Sequence, residues 1–216
     1  MRQSGTRPLR RSLDDASGAR IAKRALDLLG ASIGLVVLAP IYLVIAVLVV
    51  AETGGPIFYR PTVRGLHGRA FLLYKFRTMV PQATAILHAN PTLLAEYQAK
   101  LKIQDDPRVT RVGRFLRTSS LDELPQLWNV LRGEMSLVGP RVVSDLELAR
   151  YGPYRDRVLS VVPGITGLWQ VSGRHHVPFE RRVELDLEYI DSWSLWLDVL
   201  ILLRTFPAVF SRRGAS

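Results

Sequence analysis

Hydrophobic and polar positions along this chain fall into blocks of different period. From Leu28 to Ala51 no charge interrupts 24 positions; Lys23, Arg24 and Asp27 precede the run and Glu52 follows it. A straight helix of that length is about 36 Å long, against about 30 Å for the hydrocarbon core of a bilayer. The run is too long for a signal peptide, and no small-residue cleavage motif follows it. Its uniform hydrophobicity and length disfavour a buried core helix. Pro40, near the middle, removes a backbone donor and crowds the preceding turn, so the pattern predicts a kink there. Residues 1–27 hold seven Lys and Arg and residues 52–77 hold five, so positive charge favours neither side. A helix broken at Pro40 that enters and leaves on one face satisfies both flanks. A single span is the alternative, since membrane helices tolerate proline.

Beyond the run, Thr53 to Ile57 is a turn cluster. Ile57–Arg60 and Ala70–Phe76 read as short strands around Gly65-Leu-His-Gly68, a hairpin with Lys75 and Arg77 at its end. Residues 81–104 read as one helix of mixed polarity, stopped by Asp105-Asp106-Pro107. Leu121, Leu124, Leu127, Trp128 and Leu131 recur at helical spacing and predict an inward stripe. Asp122 and Glu123 fall off that stripe. With Asp122 at or beside the helix cap, Pro125 lies in the first turn, where its missing N–H is harmless. Val162 to Arg174 carries enough Gly and Pro to predict a tightly turned loop. Residues 179–191 predict a helix rich in both charges. Trp193 to Phe210 is apolar, with Trp193 and Trp196 at its head, and suits either a membrane interface or a core.

Composition sharpens this picture. The 216 residues are 48% hydrophobic and carry a formal charge of +10, with a mean hydropathy of +0.12 and a pI near 10.5. Such an excess of positive charge points to an anionic partner. The chain has no cysteine, which excludes disulfides and thiol chemistry. Nucleic acid is not the expected partner, because no recognition motif is present and the uncharged run would go unexplained. The Arg-rich segment before residue 20 reads as a basic tail drawn to anionic headgroups.

Candidate chemistry centres on Asp122 and Glu123. They are either first-turn acids aided by the helix dipole or a carboxylate pair flanked by Arg117 and Arg141, suited to a phosphate, a metal ion or nucleophilic attack. Asp105 and Asp106 read as a turn or cap sooner than as metal ligands. Arg174 closes the glycine-rich loop and suits a bidentate phosphate contact; a surface arginine is the plainer reading. His175 and His176 are adjacent and cannot act as paired ligands on one helix face. Asp186 stands out among the charges of its helix, although a solvated face explains it as well.

Four motifs in order carry a resemblance: Lys75-Phe-Arg-Thr-Met79, Thr118-Ser-Ser-Leu-Asp-Glu-Leu-Pro-Gln126, Met135-Ser-Leu-Val-Gly-Pro-Arg141 and Pro163-Gly-Ile-Thr-Gly-Leu-Trp-Gln-Val-Ser-Gly-Arg174. From about Ala22 to Ala208 the chain resembles the bacterial sugar transferases, the monotopic polyprenyl-phosphate hexose-1-phosphate transferases. It is most similar to the short galactosyl- and glucosyl-phosphate transferases that begin exopolysaccharide synthesis. The resemblance implies transfer of a hexose 1-phosphate from a UDP-hexose to undecaprenyl phosphate, with release of UMP. It implies Asp122 as nucleophile through a covalent phospho-sugar enzyme, and Glu123, with Asp122, as holder of Mg²⁺. Arg117, Arg141 and Arg174 match family arginines near the phosphates, and Lys75, Arg77 and Asp186 join them as candidate substrate-binding residues. The family's membrane helix is re-entrant and bent at a proline, as Pro40 suggests, with Lys23 and Arg24 at its membrane flank.

The chain departs from the family pattern in places. Pro61 and Val63 stand where the family usually has glutamine and arginine, with Arg64 displaced by one position, and Val142 replaces a usual proline. These changes bear on substrate detail. Larger members carry four extra membrane spans and a soluble domain before this region, and neither is expected here. The resulting expectation is a helix-rich α+β chain on the cytoplasmic face of the bacterial inner membrane. A disordered basic tail (1–19) precedes a re-entrant membrane helix (20–52) bent at Pro40. A compact catalytic domain (53–216) follows, with a small β-hairpin and an interfacial C-terminal helix. Membrane lipid is an expected partner and a second copy of the chain a candidate one. The rival expectation is a catalytically inactive membrane scaffold for glycan assembly.

Overall fold

The uncharged run folds as two helices, α1 (Leu13–Val37) and α2 (Ala39–Thr53), meeting at 60°. The computed structural model describes residues 13–100, 103–173 and 177–210. The break falls at Leu38, and Pro40 lies in the first turn of α2, where an N–H would have no helical partner. Proline therefore starts the second helix, where the sequence suggested a kink within one. Helix α1 extends back into the segment expected as a tail; residues 1–12 lie outside the described residues. Among the described residues no single helix is long and apolar enough to cross a membrane, but the bent pair Gly18–Val37 and Ala39–Thr53 qualifies together.

Helix α1 packs on α6 (Gln126–Arg132) through Ala31, Leu127 and Val130. Its residues Lys23, Arg24 and Asp27 face the protein. Lys23 donates to Val138 O at 2.9 Å and to Asp198 Oδ2 at 2.6 Å. Arg24 donates to Val130 O at 2.6 Å and Leu131 O at 2.9 Å, placing a guanidinium at the negative end of α6. Asp27 is buried and accepts from Ser136 Oγ and Leu137 N, both at 2.9 Å. The other face of α1 leaves Ile33, Val36 and Val37 exposed. Helix α2 buries Ile45 and Val49 and exposes Leu43, Val44 and Val47.

The expected hairpin is present in two pieces. β1 (Phe58–Tyr59) pairs with β4 (Lys75–Phe76), and β2 (Thr62–Arg64) with β3 (Ala70–Leu72), all antiparallel, around the loop at residues 65–68. The single helix expected over 81–104 is two, α3 (Ala83–Ala89) and α4 (Pro91–Lys100). Pro91 has no N–H with which to continue α3. Asn90 Oδ1 instead caps the new helix by accepting from Leu93 N at 3.1 Å.

Helix α5 (Arg111–Ser119) is not anticipated by the hydrophobic pattern. Thr110 caps it by accepting from Gly113 N at 2.9 Å. The Glu52 carboxylate, at the end of α2, accepts from Arg111 N at 2.8 Å and Val112 N at 3.1 Å. Ser120, at φ 56°, ends α5 in the left-handed region. Asp122 and Glu123 consequently lie in one 3₁₀ turn, Leu121–Glu123, and Pro125 is the N-cap of α6. Asp122 is not the helix cap. Trp128, expected on the inward stripe, is 48% exposed, because the buried face of α6 is carried by Gln126, Leu127, Asn129 and Val130.

β5 (Ser136–Val138) and β6 (Gly164–Thr166) form a parallel pair in place of the expected loop. The backbones come so close that a Cβ on Gly164 would sit 2.1 Å from Gly139 N. Helices α7 (Asp145–Arg150) and α8 (Arg155–Val158) fill the crossover, and α9 (Leu168–Val171) follows β6. The last two helices are α10 (Phe179–Ser192) and α11 (Leu195–Phe210). Helix α11 buries Asp198 and Ile201, as the core reading of its sequence expects, and leaves Trp196 and Leu203 exposed. The described residues form a helix-rich α+β fold with three two-stranded sheets.

Candidate active site

The 3₁₀ turn holding Asp122 and Glu123 sits beside β4 and below the end of α5. Its own backbone bonds are long: Glu123 N to Ser120 O and Leu124 N to Leu121 O are both 3.3 Å. Neighbours hold it instead. Leu121 and Leu124 pack into a cluster with Ile45, Val49, Phe76 and Leu116. Tyr42 in α2 donates its hydroxyl to Leu124 O at 2.6 Å. Asn129 is fully buried and clamps the adjoining strand, accepting from Tyr74 N at 3.0 Å and donating to Leu72 O at 2.8 Å.

Cations converge on the pair. Lys75 Nζ donates to Glu123 Oε1 at 2.8 Å, and Arg141 Nη1 lies 4.0 Å from the same oxygen. Arg117 Nε donates to Thr78 Oγ1 at 2.9 Å, which orients its guanidinium over the site. Burial, and then the charge of Glu123, push the Asp122 carboxyl up to about 6, against the opposing pull of Lys75 and Arg117. The pair therefore sets two adjacent acids, one of them raised by burial, among three cations, a place suited to phosphate chemistry or to a further cation.

Arg141 follows β5 and stands 5.6 Å from the centre of the Trp169 ring, and Arg182 stands 4.7 Å from it. Behind them Asp186 is 1% exposed and accepts from the Tyr151 hydroxyl at 2.9 Å. Burial raises Asp186 to about 7, opposed by Tyr151 and Arg141. Its Oδ1 has no hydrogen-bond partner among the described residues.

The fold thus brings Lys75, Arg117, Asp122, Glu123 and Arg141 together and sets Asp186 behind Arg141. Arg77 points elsewhere: it donates to Gly55 O at 2.8 Å, to Thr53 Oγ1 at 2.6 Å and to Gly54 O, gripping the end of α2. Arg174 lies outside the described residues. Lys23 and Arg24 are engaged with α6, β5 and α11 as described above. Asp106 is held by Arg108 through two bonds of 2.8 and 2.7 Å, so it serves an ion pair. Tyr42, Thr78 and Trp169 were not singled out in the sequence. A lone tyrosine in an uncharged run was the available signal for the first.

Among the described residues no three His, Cys, Asp or Glu side chains gather as a metal site. Mg²⁺, however, is usually held by one or two carboxylates together with substrate phosphates. The adjacent acids, one raised by burial and then by the charge of the other, fit that donor set.

The family described as "Bacterial sugar transferase" matches residues 18–212. The chain is 46% identical over 201 residues to the UDP-galactose-lipid carrier transferase of Erwinia amylovora, covering 91% of this chain and 42% of that one. It is 45% identical over 199 residues to the exopolysaccharide production protein ExoY of Rhizobium meliloti (strain 1021), covering 90% and 88%. It is 41% identical over 204 residues to the UDP-glucose:undecaprenyl-phosphate glucose-1-phosphate transferase of Caulobacter vibrioides, covering 90% and 72%. The chain thus spans less than half of the Erwinia relative and most of the other two.

Proposed function

The chain belongs to the bacterial sugar transferase family, and from that premise we propose that it transfers a hexose 1-phosphate from a UDP-hexose to undecaprenyl phosphate, releasing UMP. The observation that carries this reading is the Asp122–Glu123 pair ringed by Lys75, Arg117 and Arg141 beside a bent apolar helix pair. The names of two relatives supply the lipid phosphate and the nucleotide sugar.

Asp122 is the attacking group. One carboxylate oxygen bonds to the sugar-bearing phosphorus, the bond from that phosphorus to the bridging oxygen breaks, and UMP leaves with the electron pair. A phosphate oxygen of undecaprenyl phosphate then attacks the same phosphorus. The aspartyl oxygen departs as a carboxylate, and the sugar is left on a lipid diphosphate. Each step is easier than a direct encounter of two anionic phosphates. Lys75, Arg117 and Arg141 neutralise charge on the phosphoryl oxygens and lower the repulsion that Asp122 meets. Glu123 and Asp122 would hold Mg²⁺, which when bound would offset the charge of the diphosphate.

The helix pair α1 and α2 forms a re-entrant anchor on the cytoplasmic face of the inner membrane, with Trp196 and Leu203 of α11 in the interface. The apolar side chains left exposed on these helices support this. The test is UMP release by the detergent-purified protein with Mg²⁺ and undecaprenyl phosphate across a panel of UDP-sugars. Lipid-dependent release with one sugar, abolished by Asp122→Asn, is expected. No release by folded protein with any sugar would favour the scaffold.

A further inference from the structure

Helix α2 does more than carry exposed apolar side chains. Its inward face lies under the turn that bears Asp122 and Glu123. Ile45 and Val49 are buried against Leu121, Leu124, Phe76 and Leu116. Tyr42 stacks edge-to-face on Phe76, with ring centres 5.4 Å apart, and this ring contact aims its hydroxyl at Leu124 O, 2.6 Å away. Leu124 directly follows the acid pair.

The turn needs support of this kind. Its two internal hydrogen bonds are at the long end of the accepted range, and it starts from Ser120 in a left-handed conformation unfavourable for a residue with a side chain. Pro125 follows without an N–H. The Leu124 carbonyl accepts from Leu127 N at 3.1 Å, and its second lone pair takes the Tyr42 hydroxyl. A tyrosine in the apolar run of α2 could turn its hydroxyl outward to water or headgroups. Here it turns inward, to backbone one residue from the acids. At the far end of α2 the same attachment recurs: Glu52 caps α5, and Arg77 grips Gly54, Gly55 and Thr53.

We infer that Tyr42 is a positioning residue for the transfer, fixing through Leu124 the placement of the Asp122–Glu123 turn on the seated helix α2. The inference rests on the proposed role of Asp122. It makes the bent helix part of the active-site scaffold, so the position of α2 in the bilayer and the reach of the nucleophile are linked.

The test is Tyr42→Phe, which keeps the ring on Phe76 and removes only the hydroxyl. Two measurements are made on detergent-purified protein: steady-state UMP release, and amide hydrogen exchange over residues 121–124. The expected result is a kcat lower by about five- to tenfold, the scale of one lost hydrogen bond, with KM for the UDP-sugar within twofold. Exchange at 121–124 quickens while exchange through the core of α6 does not. An unchanged kcat, a rise in KM alone, or unchanged exchange at 121–124 would overturn the inference. If the parent releases no UMP with any UDP-sugar, the functional reading fails, and the exchange comparison alone decides whether Tyr42 fixes the turn.

Discussion

Lys75 donates a 2.8 Å hydrogen bond to Glu123, the acid next to the proposed nucleophile. Both side chains are largely buried, so the ammonium acts on Asp122 at short range and in a medium of low effective dielectric.

Replacing Lys75 with Met removes a charge that pulls the Asp122 carboxyl down. In its proposed role Asp122 attacks as the carboxylate, so activity in the parent is expected to fade as pH falls through about 6. In the variant that acid limb moves upward. The loss is therefore greater at pH 6.5 than at pH 8.5, by about three- to tenfold. A kcat/KM profile against pH checks this; a parallel drop at every pH would contradict it.

Asp186 gives a pH effect on stability. Its carboxyl is raised by burial from 3.8 to about 7, so the folded state binds the proton more tightly than the unfolded state. The contribution of that proton is complete below about 4 and is lost as pH rises through about 7. Asp186→Asn mimics the protonated form and still offers an acceptor to Tyr151. Its melting temperature relative to the parent is expected to be higher at pH 8 than at pH 5, as thermal melts at the two values would reveal.

The parallel strands β5 and β6 leave no room at Gly164. A Cβ there would lie 2.1 Å from Gly139 N and 2.6 Å from Thr166 O, both backbone atoms. Gly164→Ala is expected to lower stability by about 2–3 kcal/mol and, since Arg141 leaves the end of β5, to reduce activity in the protein that remains folded. Denaturant unfolding would give the first effect and UMP release the second.

Arg108 and Asp106 form a buried bidentate pair, each side chain 6% exposed. Arg108→Met leaves an uncompensated carboxylate and is expected to cost about 3 kcal/mol. Replacing both with apolar residues, as Asp106→Leu with Arg108→Met, should recover most of that loss. A double-mutant cycle of unfolding free energies measures the difference.

Much of this architecture was legible in the chain. The uncharged run, the break near Pro40, the hairpin around Gly65–Gly68 and the late charged helix all follow from pattern and turn chemistry. The cations around Asp122 and Glu123 were legible only through motifs, because they converge from β4, α5 and the end of β5. Helix α5 was missed because its inward residues, Val112 and Leu116, are few and its surface is rich in arginine. Its start depends on Glu52, nearly 60 positions away, which no local pattern reports. The parallel strand at Gly164–Thr166 was hidden for the opposite reason. Glycine and proline there read as a turn, whereas they permit two backbones to touch. The contacts of Lys23 and Arg24 were not legible in isolation, since a basic residue beside an apolar run looks like a membrane flank whether or not it turns inward, and Arg77, expected at the substrate, holds the end of α2.

The inward turn of Lys23, Arg24 and Asp27 has a practical consequence for anyone wishing to handle this catalyst in water. Cutting the chain after Val37 would discard the lysine that neutralises Asp198, the guanidinium that closes the end of α6 and the carboxylate that holds Ser136 and Leu137. The remaining piece would be a damaged core, with its reactive acids mounted on it. A soluble form is better sought by repainting. Ile33, Val36, Leu43, Val44 and Val47 can be exchanged for polar side chains on the outward faces, while Ala31, Ile45, Val49 and the three charged residues stay. Helix α1 is tied to the core by these charged contacts, and only its outer surface is free to be redesigned.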